Sequence, residues 1–214
     1  MQRWLLLATG LVLLIAAGLY WLREPLKQSA LERLTADMFL PADNDSFSPG
    51  PAPGSHFPGV RARYQGEQVT LLNRFAGRHG TVLVASRSLD WCPYCKRELL
   101  ELQAHKAAFD AAGIGLVVIT YDPPELQQAF VDRHDISIPV LSDIDALTFK
   151  TLGILNPDYG PGDPHHGIPT PGMIVIAPDG TVAGKLFLEA YSTRVEAGAA
   201  LQFAREVLAT VTAL

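Results

Sequence analysis

The sequence predicts an α/β domain with one mixed central sheet and helices on both faces, preceded by a single apolar N-terminal helix. Three observations predict it. Short apolar runs alternate with helically spaced segments over residues 81–152. A run, a helix and a second run build parallel strands, because parallel neighbours need a crossover between them. Hairpin patterns before and after that stretch add antiparallel strands. Finally, the two cysteines form a Cys-x-x-Cys pair where the first buried run gives way to the first long helical pattern.

Residues 4–22 form a run of nineteen without a charge. About 20 apolar residues are needed to cross a bilayer core as a helix. Trp4 at one end and Tyr20-Trp21 at the other suit the two water interfaces. A cleaved signal peptide is the alternative, but the run exceeds the usual apolar core of about 7–15 residues and no clean Ala-x-Ala site follows. Residues 1–24 therefore read as a transmembrane anchor. Arg3 on one side and Arg23 and Lys27 on the other leave the positive-inside count close to a tie. The domain that follows is placed outside the cytoplasm, in the periplasm, because a single anchor commonly delivers a domain there. Residues 25–56 read as a linker: a short amphipathic pattern to about residue 39, then a Pro/Gly/Ser/Asp-rich stretch that packs poorly.

The domain is expected over residues 57–214. Residues 60–64 and 68–72 flank Gln65-Gly66-Glu67 as a hairpin. Residues 81–85 (Thr-Val-Leu-Val-Ala) and 115–120 (Gly-Leu-Val-Val-Ile-Thr) are buried strands. Between them, residues 96–112 carry Leu99, Leu102, Ala107 and Phe109 at helical spacing, and Gly113 ends the helix. Pro124 opens a helix to His134. Residues 138–141 are short and extended, and 146–152 are helical. Residues 173–177 and 182–188 form a hairpin around Pro178-Asp179-Gly180, and residues 194–208 form the closing helix.

Composition narrows the function. Hydrophobic residues make up 48% of the chain and charged residues 18%, which excludes a disordered chain. The formal net charge is −5 with no dense Lys/Arg cluster, so nucleic acid is not an expected partner. Two cysteines three positions apart close too small a loop to restrain the unfolded chain, so their use is chemical. A helix N-terminus stabilises the thiolate of Cys92 through unpaired N–H groups and the positive dipole end. One helical turn brings Cys95 back under Cys92. Cys92 is expected at the surface as the attacking thiol, and Cys95 below it as the thiol that resolves the mixed disulfide. Pro93 fits the first helical turn. A zinc half-site and two unrelated core thiols are the competing readings; for zinc, four ligands are needed, no second cysteine pair exists, and the spacing to His165-His166 fits no zinc-finger pattern.

The run Trp91-Cys92-Pro93-Tyr94-Cys95-Lys96 resembles the thioredoxin active site, with the Pro-Tyr dipeptide of glutaredoxins. Gly167-Ile168-Pro169-Thr170 resembles the cis-proline loop of the same superfamily. The stretch from Tyr121-Asp122-Pro123-Pro124 through Ser142-Asp143 is similar to peroxiredoxins, as is the strand and Asp-Gly turn over residues 173–180. Residues 57–214 thus resemble the redoxin branch of the thioredoxin-like superfamily, which includes the alkyl hydroperoxide reductase/thiol-specific antioxidant (peroxiredoxin) family. The resemblance implies a thioredoxin fold, catalytic Cys92 and Cys95, and a cis Pro169 beside them. It also implies substrate contacts from Trp91, Pro93, Tyr94, Ile168, Pro169 and Thr170, with no cofactor. The departures are specific. Whether counted from Cys95 (Cys92 and Ser88) or from Cys92 (Leu89 and Ala85), the Thr/Ser and Pro that precede a peroxidatic cysteine are missing. Ser86 stands where thioredoxins hold a buried carboxylate.

Other polar residues carry weaker expectations. Asp90 reads as a solvated loop acid, or as a proton carrier during exchange. Arg87 reads as a surface arginine, or as a group that binds an anion or stabilises a thiolate. His165 and His166 precede Pro169 and are candidates to line the site. The expected function is membrane-anchored thiol–disulfide exchange with protein thiols or disulfides and a reducing or oxidising partner. The alternatives are a thiol-dependent peroxidase and a non-enzymatic metal-delivery or assembly factor.

Overall fold

The structure, a computed structural model, describes residues 18–23, 25–27, 29–43, 45–69, 74–143 and 145–212. They fall into two units, divided after Asp37. In the first, the described residues are helical at 18–23, 25–27 and 29–34. Most of the expected membrane segment, residues 4–17, lies outside the described residues. Among the described residues, no helix is long and apolar enough to cross a membrane.

The second unit is built on a seven-stranded mixed sheet. In chain order its strands are β2 (Ala62–Tyr64), β3 (Glu67–Val69), β4 (Gly80–Ala85), β5 (Ile114–Thr120), β6 (Val140–Ser142), β7 (Gly172–Ile176) and β8 (Val182–Phe187). They lie side by side in the order β3-β2-β6-β5-β4-β7-β8. The β4–β5 and β5–β6 pairs are parallel, and the outer pairs are antiparallel. The parallel pairs are bridged by α1 (Pro93–Ala111) and α2 (Pro124–Arg133); α3 (Leu147–Leu152) follows β6 and α4 (Ala197–Thr212) closes the chain. Gly113 ends α1 with a left-handed backbone (φ 69°) that a side chain would strain.

Alternation along the central strands splits the core into two layers. Val82, Val84, Leu116, Val118, Met173 and Val175 face Leu99, Leu102 and Phe109 of α1 and Leu201 and Leu208 of α4. Leu83, Val117, Ile119, Ile174 and Ile176 face Phe149 and Leu152 of α3. Phe109 and Phe149 are fully buried, one per layer; burying each stabilises the fold by about 1.5–3 kcal/mol. The central strands therefore read as continuous apolar runs because both faces are covered.

The closing segment corrects the sequence reading. Arg194–Val195 form a strand, β9, paired in parallel with β1 (Phe39–Leu40), and the helix begins only at Ala197. Arg194 N–H donates to Met38 O at 2.7 Å and Glu196 N–H to Leu40 O at 2.9 Å. This long-range pairing takes residues that the helical pattern alone would claim. The stretch read as a linker runs, from Asp43 on, along the outer strand β8. Asp43 accepts from Phe187 N–H (3.3 Å), Gly54 N–H donates to Val182 O (2.8 Å), and Lys185 Nζ donates to the carbonyls of Ser48, Pro49 and Gly50 (2.9, 3.0 and 3.3 Å). It thereby satisfies edge groups that would otherwise be open to another strand.

Candidate active site

Strand order reverses at β4: β5 and β6 lie on one side, β7 and β8 on the other. In open α/β sheets the crevice outside the strand ends at such a reversal is the usual place for a site. Residues 86–92 leave the end of β4 there and lead into α1. Cys92 is the N-cap of α1, with extended backbone (φ −85°, ψ 109°), and Pro93 takes the first helical position as expected. Cys92 and Cys95 are joined as a disulfide, with Cα atoms 5.3 Å apart.

The two sulfurs do not differ in exposure as the sequence suggested. Both cysteines are only 1% exposed in the disulfide form. They differ in their partners. Cys92 Sγ accepts the Cys95 N–H at 3.3 Å. Cys95 Sγ receives Nη2 of Arg194 at 3.6 Å. Arg194 is itself held by Glu98, whose Oε2 accepts Nε at 2.7 Å, and by the carbonyls of Tyr191 (2.9 Å) and Thr193 (2.6 Å). Arg194 and Glu98 are both buried. Burial pushes the Glu98 carboxyl above the usual carboxylate range, and the Arg194 charge pulls the other way.

The loop between β4 and Cys92 is pinned from below. Ser88 Oγ accepts the N–H groups of Asp90 and Trp91 at 3.0 and 3.2 Å. Asp122, buried just beyond the end of β5, accepts Leu89 N–H at 2.6 Å and the Thr120 hydroxyl at 3.1 Å. Burial raises the Asp122 carboxyl, and these hydrogen bonds oppose the shift. Asp90 is exposed, and its carbonyl receives Lys96 Nζ.

Arg87 is not a surface arginine. It is 8% exposed, with its guanidinium over two rings, 5.0 Å from the Trp91 centroid and 5.1 Å from that of Tyr191. Aromatic side chains continue from both. Tyr94 lies 6.1 Å from Tyr191, edge-on. Trp91 donates Nε1–H to Tyr121 Oη at 2.9 Å and meets His165 at 5.6 Å, and His165 meets Tyr159 at 5.5 Å. Trp91, His165 and Tyr191 are exposed, so this is an aromatic rim rather than core. His166 turns away, its Nδ1 2.8 Å from Tyr159 O. Among the described residues, no group of three or more His, Cys, Asp or Glu is arranged to hold a metal ion.

Residues 167–170 lie at the same end of the sheet. Gly167 approaches Tyr121, and Gly172 pairs with Ala85 at the end of β4. A Cβ on Gly172 would sit 2.3 Å from the Phe187 ring, so only glycine fits there. Pro169 departs from the expectation of a cis bond: the described residues contain no cis peptide. The segment is held extended, with Pro169 bridging Leu155, Ile168 O accepting Asn156 N–H at 2.9 Å and Thr170 N–H donating to Ile154 O at 2.7 Å. Ile168 is fully buried, Pro169 is buried and Thr170 is half-buried. The Ile168 N–H and carbonyl and the Thr170 N–H are thus engaged within the fold.

Sequence reasoning missed Glu98, Arg194, Tyr191 and Asp122. Glu98 was accessible to it, one turn beyond Cys95 on the same helix face. Arg194 stands 99 residues from Cys95 and carries no local signal.

Comparison with known proteins agrees with this picture. Residues 53–185 match the model of the AhpC/TSA family. No curated protein matches the chain. Among solved structures, the chain is similar to the peroxidoxin BcpB of Mycobacterium tuberculosis, with 20% identity, TM-score 0.60, and coverage of 74% of this chain and 97% of that one. It is also similar to the Xanthomonas campestris bacterioferritin comigratory protein, described for alkyl peroxide reduction (23% identity, TM-score 0.54, 79% and 98% covered). A third is the yeast mitochondrial 1-Cys peroxiredoxin, described with glutathione/thioredoxin systems (14%, TM-score 0.62, 76% and 78%). At these identities the likeness shows the fold alone: a thioredoxin-like, peroxiredoxin-like α/β sheet.

Proposed function

The chain belongs to the AhpC/TSA family, and from that premise we propose that it is a thiol–disulfide oxidoreductase working through Cys92 and Cys95. The observation that carries this reading is the disulfide across the first turn of α1, at the strand-order reversal. When reduced, Cys92 faces the open N–H groups of a helix end, which favour its thiolate. That thiolate attacks a substrate disulfide. Cys95, beside the Arg194 guanidinium, then displaces the substrate from the mixed disulfide and closes the internal bond. Protein thiols or disulfides and a thiol or dithiol redox partner are the reactants this cycle calls for.

Two variants test it. Cys95→Ser should trap a mixed disulfide on Cys92, visible by mass spectrometry, and Cys92→Ser should abolish insulin reduction. Insulin reduction that persists in Cys92→Ser would overturn the assignment.

A thiol-dependent peroxidase is the second reading, favoured by one contact. Arg194 on Cys95 supplies positive charge where a peroxide oxygen would gain negative charge during attack. Here Cys95 would become the sulfenic acid and Cys92 the resolving thiol. The roles of the two serine variants then exchange: Cys92→Ser holds a dimedone-reactive sulfenic acid on Cys95, and peroxide consumption is lost in Cys95→Ser.

Location belongs to the same proposal. The uncharged run at residues 4–22 supports a membrane anchor with the domain outside the cytoplasm. Alkaline phosphatase fused after Leu214 should be active in intact cells; an inactive fusion places the domain inside.

A further inference from the structure

Arg87 has a property that the exchange cycle does not use. It is a nearly buried cation with no counter-charge. Among the described residues it forms no ion pair and no hydrogen bond, and its Nε is completely buried without an acceptor. A buried polar group without a partner is rare in native proteins, and for a cation the desolvation cost is larger still. The two Nη atoms are not among the buried unpartnered atoms, so they reach the surface. The guanidinium lies over the rings of Trp91 and Tyr191. The rings supply weak attraction but no acceptor in the plane, where a guanidinium makes its strong bonds. Trp91 adjoins Cys92 in sequence and is fixed by its bond to Tyr121. The unsatisfied cation is therefore presented beside an exposed aromatic rim whose Trp91 is the neighbour of Cys92 in the chain.

We propose that Arg87 is the anion-recognition group of the dithiol site, and that the substrate is a disulfide bearing a carboxylate close to its sulfurs. This deepens the exchange reading and rests on it. The carboxylate docks on the Arg87 guanidinium while the carbon chain lies along Trp91 and Tyr191. The chemistry balances without another reactant. The Cys92 thiolate attacks one sulfur of the substrate R–S–S–R; the substrate S–S bond breaks, a Cys92–S–S–R bond forms, and RS⁻ leaves. The Cys95 thiolate attacks Cys92 Sγ, expels the second RS⁻ and closes the Cys92–Cys95 bond. The substrate gains two electrons, the dithiol loses two, and the protons of the two cysteine thiols end on two RSH.

The test uses the full chain in its reduced form and three small disulfides of similar size: dithiodipropionate (anionic), hydroxyethyl disulfide (neutral) and cystamine (cationic). The readout is the ratio of second-order rates, anionic to neutral, which cancels any change in thiol reactivity common to both. The wild type should prefer the anion and disfavour the cation. Arg87→Gln should reduce the anionic-to-neutral ratio by about tenfold, the scale of one hydrogen bond to a charged group. Arg87→Lys should retain part of it. A wild type without charge preference, or an Arg87→Gln variant with the wild-type ratio, overturns the proposal. If the neutral disulfide fails to react with the wild type, the exchange reading fails and takes this inference with it. If it reacts and charge is ignored, only the inference fails. Cystine-bridged peptides flanked by Glu or by Lys extend the series: a preference for the Glu peptide marks a protein source of the carboxylate, and a preference confined to the small disulfides marks a small-molecule thiol.

Discussion

Two buried arginines belong to the dithiol site, and their surroundings are opposite. Arg194, on the Cys95 side, is held by the Glu98 carboxylate and two carbonyls, and its Nη2 also reaches the Cys95 sulfur. Arg87 is held by two rings, one of them Trp91 next to Cys92 in the chain, and has no acid among the described residues. Burial alone therefore says little about what an arginine does; the partner set decides. A cation whose donors are met inside the fold positions its neighbours. A cation left unmet beside an exposed rim is available to a molecule from outside.

The largest effect should come from breaking the paired side. Arg194→Met leaves Glu98 buried without its counter-charge, and should destabilise the protein by about 3–5 kcal/mol in urea unfolding. The double variant Arg194→Met/Glu98→Met removes both charges and should recover much of that loss. A double variant as unstable as the single one would show that the ion pair is not the cause.

Next comes pH. Burial raises the Glu98 carboxyl above its ordinary value, against the pull of Arg194. Above the ordinary carboxylate range the unfolded chain has released this proton while the folded protein still holds it. Stability is therefore full below that range and falls as pH rises through the folded value. Glu98→Gln should flatten this decline in urea midpoints measured across pH. Some slope should remain, because burial raises Asp122 and Asp143 in the same direction. An undiminished slope would remove Glu98 from the account.

The unpaired side should respond less. Arg87→Met strands no buried acid and loses only ring contacts, so stability should change by about 1 kcal/mol or less. A loss as large as that of Arg194→Met would erase the distinction between the two arginines. Smallest of all is the exposed pair Lys106–Asp110, one turn apart on α1 at 2.6 Å. Lys106→Ala should shift stability by no more than about 0.5 kcal/mol, which sets the scale for an ion pair in water.

Much of the architecture was legible because its causes are local. The apolar runs at β4 and β5, the helix after Cys92 and the hairpin around Pro178-Asp179-Gly180 each carry their own periodicity or turn chemistry. The reading failed at Arg194–Val195, where pairing with Phe39–Leu40 overrides a helical pattern. It also failed at Pro169, where the bridge to Leu155 holds an extended trans segment.

The sequence by itself determined the chemistry: two cysteines on one helical turn, a proline at the helix start, and a strand before them. Spacing and capping need no distant partner to be understood. Only the tertiary structure decided how the two sulfurs differ. Arg194 and Tyr191 reach the site from beyond β8, and Arg87 is a buried cation beside the Tyr191 ring only in the folded chain. Burial and pairing are properties of the folded surroundings, and no residue carries them alone.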